Sequence, residues 1–550
     1  MNRVRNEAEN AKASANSIAP SNFYSGDAAK PITRSSPGDT RNNTIRLDDA
    51  DSQPAPPQKI SLPYPEGRVF RTHCTGLRRS GDDIQINELL APNLLQRALL
   101  SAFQWDYHWI MSKLPLKRNP NFHMTLVMQG KEPVEREMMQ QMFNGTPRVK
   151  LVFPNMEGQI NCMHSKLMLL WMKRPKNTVG GSDGEEFLRI VVPTANLTDY
   201  DWGEGGGFME NMVFVIDLPK RSDPDLAFDQ TFFHTELTRF CSHQGIDDSI
   251  LTDVSYYDFS ATRNMAFIHS IGGSHTGDAW DTTGITGLAR AVRTLNLSSS
   301  NGLEIDYVTS SLGALKDQFL GDLYRACQGH SGLSDLRRRQ KKPPAILTSL
   351  LSTTTPPPPQ EEEIDPTRIR QRFNVYFPSR ETVVRSKNGV NGGGTICFQE
   401  QWWNAPGMPK DVVKECISKR EGMLMHNKIL YARLPREVVL SQSSSTSTPE
   451  EPKKTYASWV YVGSSNLSES AWGKLVLDRS TKQPKLNIRN WECGVLLPVE
   501  TPKPRGRTLG GDEVVVGMPM ELEKVVEGRV PVPMKVPAGR VERPWFRSEM

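Results

Sequence analysis

Cysteine is scarce in this 550-residue sequence: there are seven (Cys74, Cys162, Cys241, Cys327, Cys397, Cys416 and Cys493), odd in number and with no CxxC spacing. That argues against a disulfide framework or a thiolate zinc site, and reduced thiols of an intracellular protein are expected. Long apolar runs are missing too. None approaches the roughly 18 residues that span a bilayer, and the N-terminus lacks a signal-peptide core, so a soluble protein with no membrane partner is expected. Charge is nearly balanced, with 67 basic and 62 acidic side chains for a net +5. Composition alone therefore does not establish a polyanionic partner, although a local basic cleft is allowed. Aromatic residues are almost absent from the first 60 or so positions, which are rich in Asn, Ser, Ala, Asp and Pro. Such a segment cannot bury enough apolar surface to offset ordering entropy, so residues 1–65 are expected to be a disordered tail.

What is present is a repeat. Met163-His164-Ser165-Lys166-Leu167-Met168 returns as Met425-His426-Asn427-Lys428-Ile429-Leu430. After an apolar run, each copy is followed by a second shared block, Asn196-Leu197-Thr198 through Trp202-Gly203 and Asn466-Leu467-Ser468 through Trp472-Gly473. The length exceeds what one core supports, so two related halves are expected, 66–264 and 265–550. Their apolar runs predict strands at 124–128, 149–153, 187–192, 212–218, 459–462 and 493–497, and Leu and Trp spacing predicts a helix from Glu88 to Met111. Strands alternating with helices in two copies predict an α/β fold of two α-β-α sandwich halves related by pseudo-two-fold symmetry, with one active site between them. His and Lys of each pair, read as i and i+2 on a strand, share a face. Polar inserts near 351–365 and 441–454 read as surface linkers. Arg337 to Lys342 is a basic cluster, as readily a solvated helix end as a nuclear signal or phosphate contact.

These residues suit phosphodiester chemistry. One imidazole can attack phosphorus while the other supplies a proton. Lys166 and Lys428 would neutralise the non-bridging oxygens and the Asn196 and Asn466 amides would donate to them, so no metal or other cofactor is expected. A carboxylate accepting from one ring nitrogen would fix each tautomer. Glu210 and Glu492 each open a strand after an Asn block, and Asn211 competes with Glu210. Taken singly, these motifs are bland: His-x-Lys is common, Asn-Leu-Ser is usually a helix N-cap, and the tryptophans suit a core. Their recurrence in register favours a functional reading.

The motif set resembles the phospholipase D superfamily, whose signature is H-x-K-x(4)-D. Trp171 and Arg433 stand where that signature has Asp, a departure shared with the tyrosyl-DNA phosphodiesterase branch. Thr194-Ala195-Asn196-Leu197, Ser464-Ser465-Asn466-Leu467, Ser310-Ser311-Leu312-Gly313, Val530 to Pro533 and Arg543-Pro544-Trp545 are similar to segments of that family. The resemblance covers roughly 66–550 and implies two phospholipase D-like halves. It implies a DNA-repair phosphodiesterase that frees DNA 3′ ends from a topoisomerase I-derived tyrosyl peptide, a nuclear monomer acting through a covalent phospho-histidine. His164 would then be the nucleophile and His426 the acid and base. Glu492 would orient His164 and position 210 would orient His426. Lys166, Lys428, Asn196 and Asn466 would hold the phosphate. Ser310, Ser311, Ser464, Ser468 and His275 would contact substrate. Ile160 replaces an aromatic that the family uses for base stacking. A phospholipase D-like lipid hydrolase and a catalytically inactive nucleic-acid-binding scaffold are the alternatives. The missing aspartates and the absence of an amphipathic membrane segment disfavour the first, and the intact His, Lys and Asn in both copies disfavour the second.

Overall fold

The computed structural model describes residues 62–146, 148–175, 184–223, 230–300, 302–340, 365–434, 456–500 and 521–550. Nearly all of the expected tail, the insert near 351–365 except residue 365, and the whole insert near 441–454 lie outside these residues. Ten strands come first: β1 Arg68–Thr72, β2 Asp83–Ile84, β3 Leu95–Ser101, β4 His123–Val127, β5 Val149–Val152, β6 Cys162–Met163, β7 Leu167–Lys173, β8 Glu186–Pro193, β9 Met209–Glu210 and β10 Met212–Pro219. Eleven follow: β11 Ala266–Ser270, β12 Gly273–His275, β13 Glu304–Val308, β14 Phe373–Phe377, β15 Val413–Glu415, β16 Leu424–Met425, β17 Ile429–Arg433, β18 Tyr456–Gly463, β19 Lys474–Leu477, β20 Pro484–Ile488 and β21 Asn490–Glu500.

The first sheet runs β2-β1-β10-β8-β7-β3-β4-β5 and the second β11-β21-β18-β17-β13-β14-β15. Apart from β2, the orders correspond strand for strand, and so do the pairing senses. In each sheet the last three strands are parallel and the other pairs of this shared order antiparallel. The repeat seen in the motifs is therefore a repeat of topology.

The central strands are apolar on both faces because both faces are covered. One core joins the sheets, with Leu167, Ile190, Val192 and Phe214 from the first and Tyr431, Val460, Val462 and Val495 from the second. A second core packs the helices Gly284–Thr294 and Asp317–Cys327 on the second sheet, and a third covers the first sheet. The expected helix from Glu88 to Met111 is not formed. Its ends are short helices, Ile86–Leu90 and Tyr107–Lys113, and its middle is β3. Leu95, Ala98, Leu99 and Leu100 are buried between β7 and β4. An apolar run covered on both faces carries no period that separates strand from helix.

Candidate active site

Each His-x-Lys lies in a break between two strands, not within one, and the other sheet's chain fixes its backbone. Cys162 and Met163 of β6 pair in parallel with Asn490 and Trp491, and His164 N donates to the Trp491 carbonyl at 2.9 Å. Reciprocally, Leu424 and Met425 of β16 pair with Met209 and Glu210, and His426 N donates to the Glu210 carbonyl at 3.0 Å. The lysines turn back: Lys166 Nζ donates to the His164 carbonyl at 2.7 Å and Lys428 Nζ to that of His426 at 2.6 Å. Both are fully buried.

His164 Nδ1 is 2.8 Å from Glu492 Oε2. A carboxylate only accepts, so Nδ1 carries the proton and the lone pair is on Nε2. Glu492 also accepts from Ser464 Oγ at 2.6 Å and Asn490 Nδ2 at 3.0 Å. Burial would raise this carboxyl, but His164, Lys166 and Ser464 together hold it below the usual range.

The carboxylate beside His426 is Asp201, with Oδ2 3.3 Å from Nδ1. This corrects the expectation for position 210. The Glu210 carboxyl turns away and accepts from Ser418 Oγ at 2.9 Å, with Arg420 Nη1 3.1 Å from it. Burial pushes it up to about 7 against the pull of Arg71 and Ser418. Asn211, the competing choice, is the register counterpart of Glu492. Thr194 N donates to the Met212 carbonyl and Ser464 N to that of Cys493, both at 2.8 Å. Thr194 Oγ1 then bonds Asn211 as Ser464 Oγ bonds Glu492. Asn211 Nδ2 donates to the Asp201 carbonyl at 2.8 Å, so it supports Asp201. The signal for Asp201 was its place five residues after Asn196, where the second block has Ala471. Comparing only what the two blocks share hides a residue present in one.

Burial lowers both imidazoles and both ammonium groups. His426 falls to about 4 and Lys166 to about 8; His164 is lowered and Lys428 lies well below its ordinary value. Each imidazole is also pushed down by the other copy's ammonium, His164 by Lys428 and His426 by Lys166. The two half-sites thus lie close enough for the charges of each to act on the other.

Asn466 Oδ1 accepts from Thr309 Oγ1 and Ser311 N, both at 3.0 Å, and from Ser310 Oγ at 3.3 Å. These contacts set the orientation of its amide. Asn196 faces Gln104 through two longer contacts of 3.4 Å. Ser310 and Ser311 therefore meet the site through Asn466. Two expected substrate contacts are structural instead: Ser464 is fully buried on Glu492, and Ser468 Oγ caps the helix Glu469–Trp472. His275 bonds the Ile271 carbonyl within its own turn. Ile160 is buried against Trp491 and Gly272, so it offers no stacking face. The aromatic beside the first His-x-Lys is Phe103, its ring centroid 5.4 Å from that of His164 and 6.0 Å from Lys166 Nζ. Misassigning its segment as helix concealed it.

Two like-ordered sheets, each presenting a His-Lys pair to one shared space, define a phospholipase D-like phosphodiesterase fold. The model of the tyrosyl-DNA phosphodiesterase family matches residues 68–540, and the chain belongs to that family. A Caenorhabditis elegans protein described as a probable tyrosyl-DNA phosphodiesterase is 26% identical over 137 residues, which is 24% of this chain and 26% of the worm protein. The match thus spans about a quarter of that relative. Yeast tyrosyl-DNA phosphodiesterase superposes with a TM-score of 0.51 at 16% identity, covering 79% of this chain and 89% of that one. A point mutant of yeast tyrosyl-DNA phosphodiesterase 1 gives 0.53 at 15% identity, covering 88% and 99%.

Proposed function

We propose that this chain is a monomeric nuclear DNA-repair hydrolase that cleaves the 3′-phosphotyrosyl bond left between DNA and a topoisomerase I-derived peptide. The observation that carries the reading is the pair of carboxylate-backed imidazoles converging with two buried ammonium groups. His164 Nε2 attacks phosphorus and forms the P–N bond as the P–O bond to tyrosine breaks. His426, protonated, gives its proton to the leaving phenolate. Water then attacks phosphorus and loses its proton to His426 as the P–N bond breaks, which frees a DNA 3′-phosphate and restores neutral His164. Lys166, Lys428 and the Asn466 amide hold the non-bridging oxygens, the electrostatic work that dominates phosphoryl transfer.

The lowered basicity of His426 suits its role as the neutral base. Its acid role needs the bound phosphate, whose negative charge between the lysines offsets part of what holds the imidazole down. The test is a gel assay with a 3′-phosphotyrosyl oligonucleotide in EDTA, beside a phosphatidylcholine vesicle assay. Tyrosine release from DNA that His164→Ala abolishes supports the reading. Lipid cleavage without DNA cleavage, or loss of activity in EDTA, contradicts it.

A further inference from the structure

Behind His426 lies a buried charge cluster that joins the two sheets' chains and that the chemistry above does not use. Arg420 comes six residues before His426, on the segment leading to β16. Its guanidinium, 11% exposed, donates through Nη1 to the Thr72 carbonyl at 2.8 Å, lies 3.1 Å from Glu210 Oε2, and pairs through Nη2 with Asp83. Asp83 and Glu210 are buried carboxylates of the first sheet's chain. Burial lowers Arg420 only to about 10, so it stays charged at neutral pH. Ser418 Oγ completes the link, donating to Glu210 and accepting from Arg420 N at 2.9 Å.

The segment from Ser418 to His426 is thus latched to the first sheet's chain at both ends. Ser418 and Arg420 hold one end, and the Glu210 carbonyl receives the other from His426 N. β9 and β16 contribute two residues each, too few to hold register without outside support. His164 is carried differently. Its strand β6 adds to β21, a strand of eleven residues inside the second sheet, and its carboxylate comes from that same strand.

We infer that Arg420 is a positioning residue for His426 and not for His164: its fork on Asp83 and Glu210 sets where the acid-base imidazole stands. The inference rests on the phospho-histidine reading above. It predicts a separation of the two chemical steps. Attack by His164 on an oligonucleotide 3′-(p-nitrophenyl phosphate) needs little acid, because the leaving group departs as the anion. Release of the phospho-enzyme needs the base. A displaced base costs a large part of the roughly 10²–10⁴-fold that general acid–base catalysis supplies.

The experiment is a quench-flow measurement on full-length Arg420→Met with that substrate, against wild type and His426→Asn. The expected result is a nitrophenol burst near the wild-type rate, then release slowed by roughly 10- to 100-fold, with the protein–DNA adduct accumulating on gels. Arg420→Lys, which keeps charge but cannot span both carboxylates, is read in the same way and carries the test if Arg420→Met does not fold. Equal slowing of both steps, or wild-type release, overturns the inference. If His426→Asn also yields no adduct, the phospho-histidine reading itself fails.

Discussion

Burial lowers the basicity of all four groups assigned to the phosphate, and this has consequences at single residues. Folded His426 titrates near 4 against an ordinary value of 6.5. Between those values the unfolded chain binds the extra proton, so stability rises with pH across the window and is lost as pH falls through it. One proton contributes at most about 1.4 kcal/mol per pH unit. Urea melts from pH 4 to 7 are expected to show a shallower slope for His426→Asn than for wild type. Lys428 is buried with Lys166 as a like-charged neighbour. Lys428→Met is therefore expected to abolish turnover while raising stability by roughly 1–2 kcal/mol, since it removes an incompletely compensated buried charge. A lower melting temperature would count against this account of the site. Asp201→Asn should slow turnover by roughly 10- to 100-fold, because an amide fixes the ring less firmly than a carboxylate. Glu210→Gln is expected to act through Arg420, not through the imidazole. Sequence comparison found the histidines, lysines and asparagines because they recur. It missed Asp201 because the blocks differ there, and it misassigned Glu210 because a neighbouring residue on a strand faces the opposite way.

At the scale of elements, the long apolar strands were the most legible, whereas the equally buried five-residue strands β11, β13 and β14 were not foreseen. β8, β10, β18 and β21 are apolar, β-branched runs that admit few other readings. β3 was not legible, since an Ala- and Leu-rich run buried on both faces satisfies either period. The breaks that carry His-x-Lys were also hidden, because the pairing that creates them joins residues 328 positions apart in one case. Two glycines show what such placement demands. Gly463 and Gly494 are register partners on β18 and β21, and a Cβ on Gly494 would fall onto the Tyr461 ring. Tyr461 in turn bonds Ser465 Oγ at 2.9 Å. Gly494→Ala should displace β21 and with it Glu492, costing about 1–3 kcal/mol by overpacking. Calorimetry beside an activity assay checks this, and an unchanged melting temperature would argue against it.

Across the whole molecule, each histidine is positioned by the chain of the opposite sheet, so the site exists only when both are in place. An oxyanion seated between Lys166 and Lys428 should tie them together. Millimolar vanadate is expected to raise the melting temperature of wild type by mass action and to do so far less for either single Lys→Met variant. The asymmetry between the two histidines is the central claim, and mapping the covalent intermediate tests it most directly. His426→Asn, incubated with a 3′-phosphotyrosyl oligonucleotide, trapped and digested for mass spectrometry, should carry the DNA phosphate on the His164 imidazole. Phosphate on any other residue, or tyrosine released with no adduct, would contradict the account.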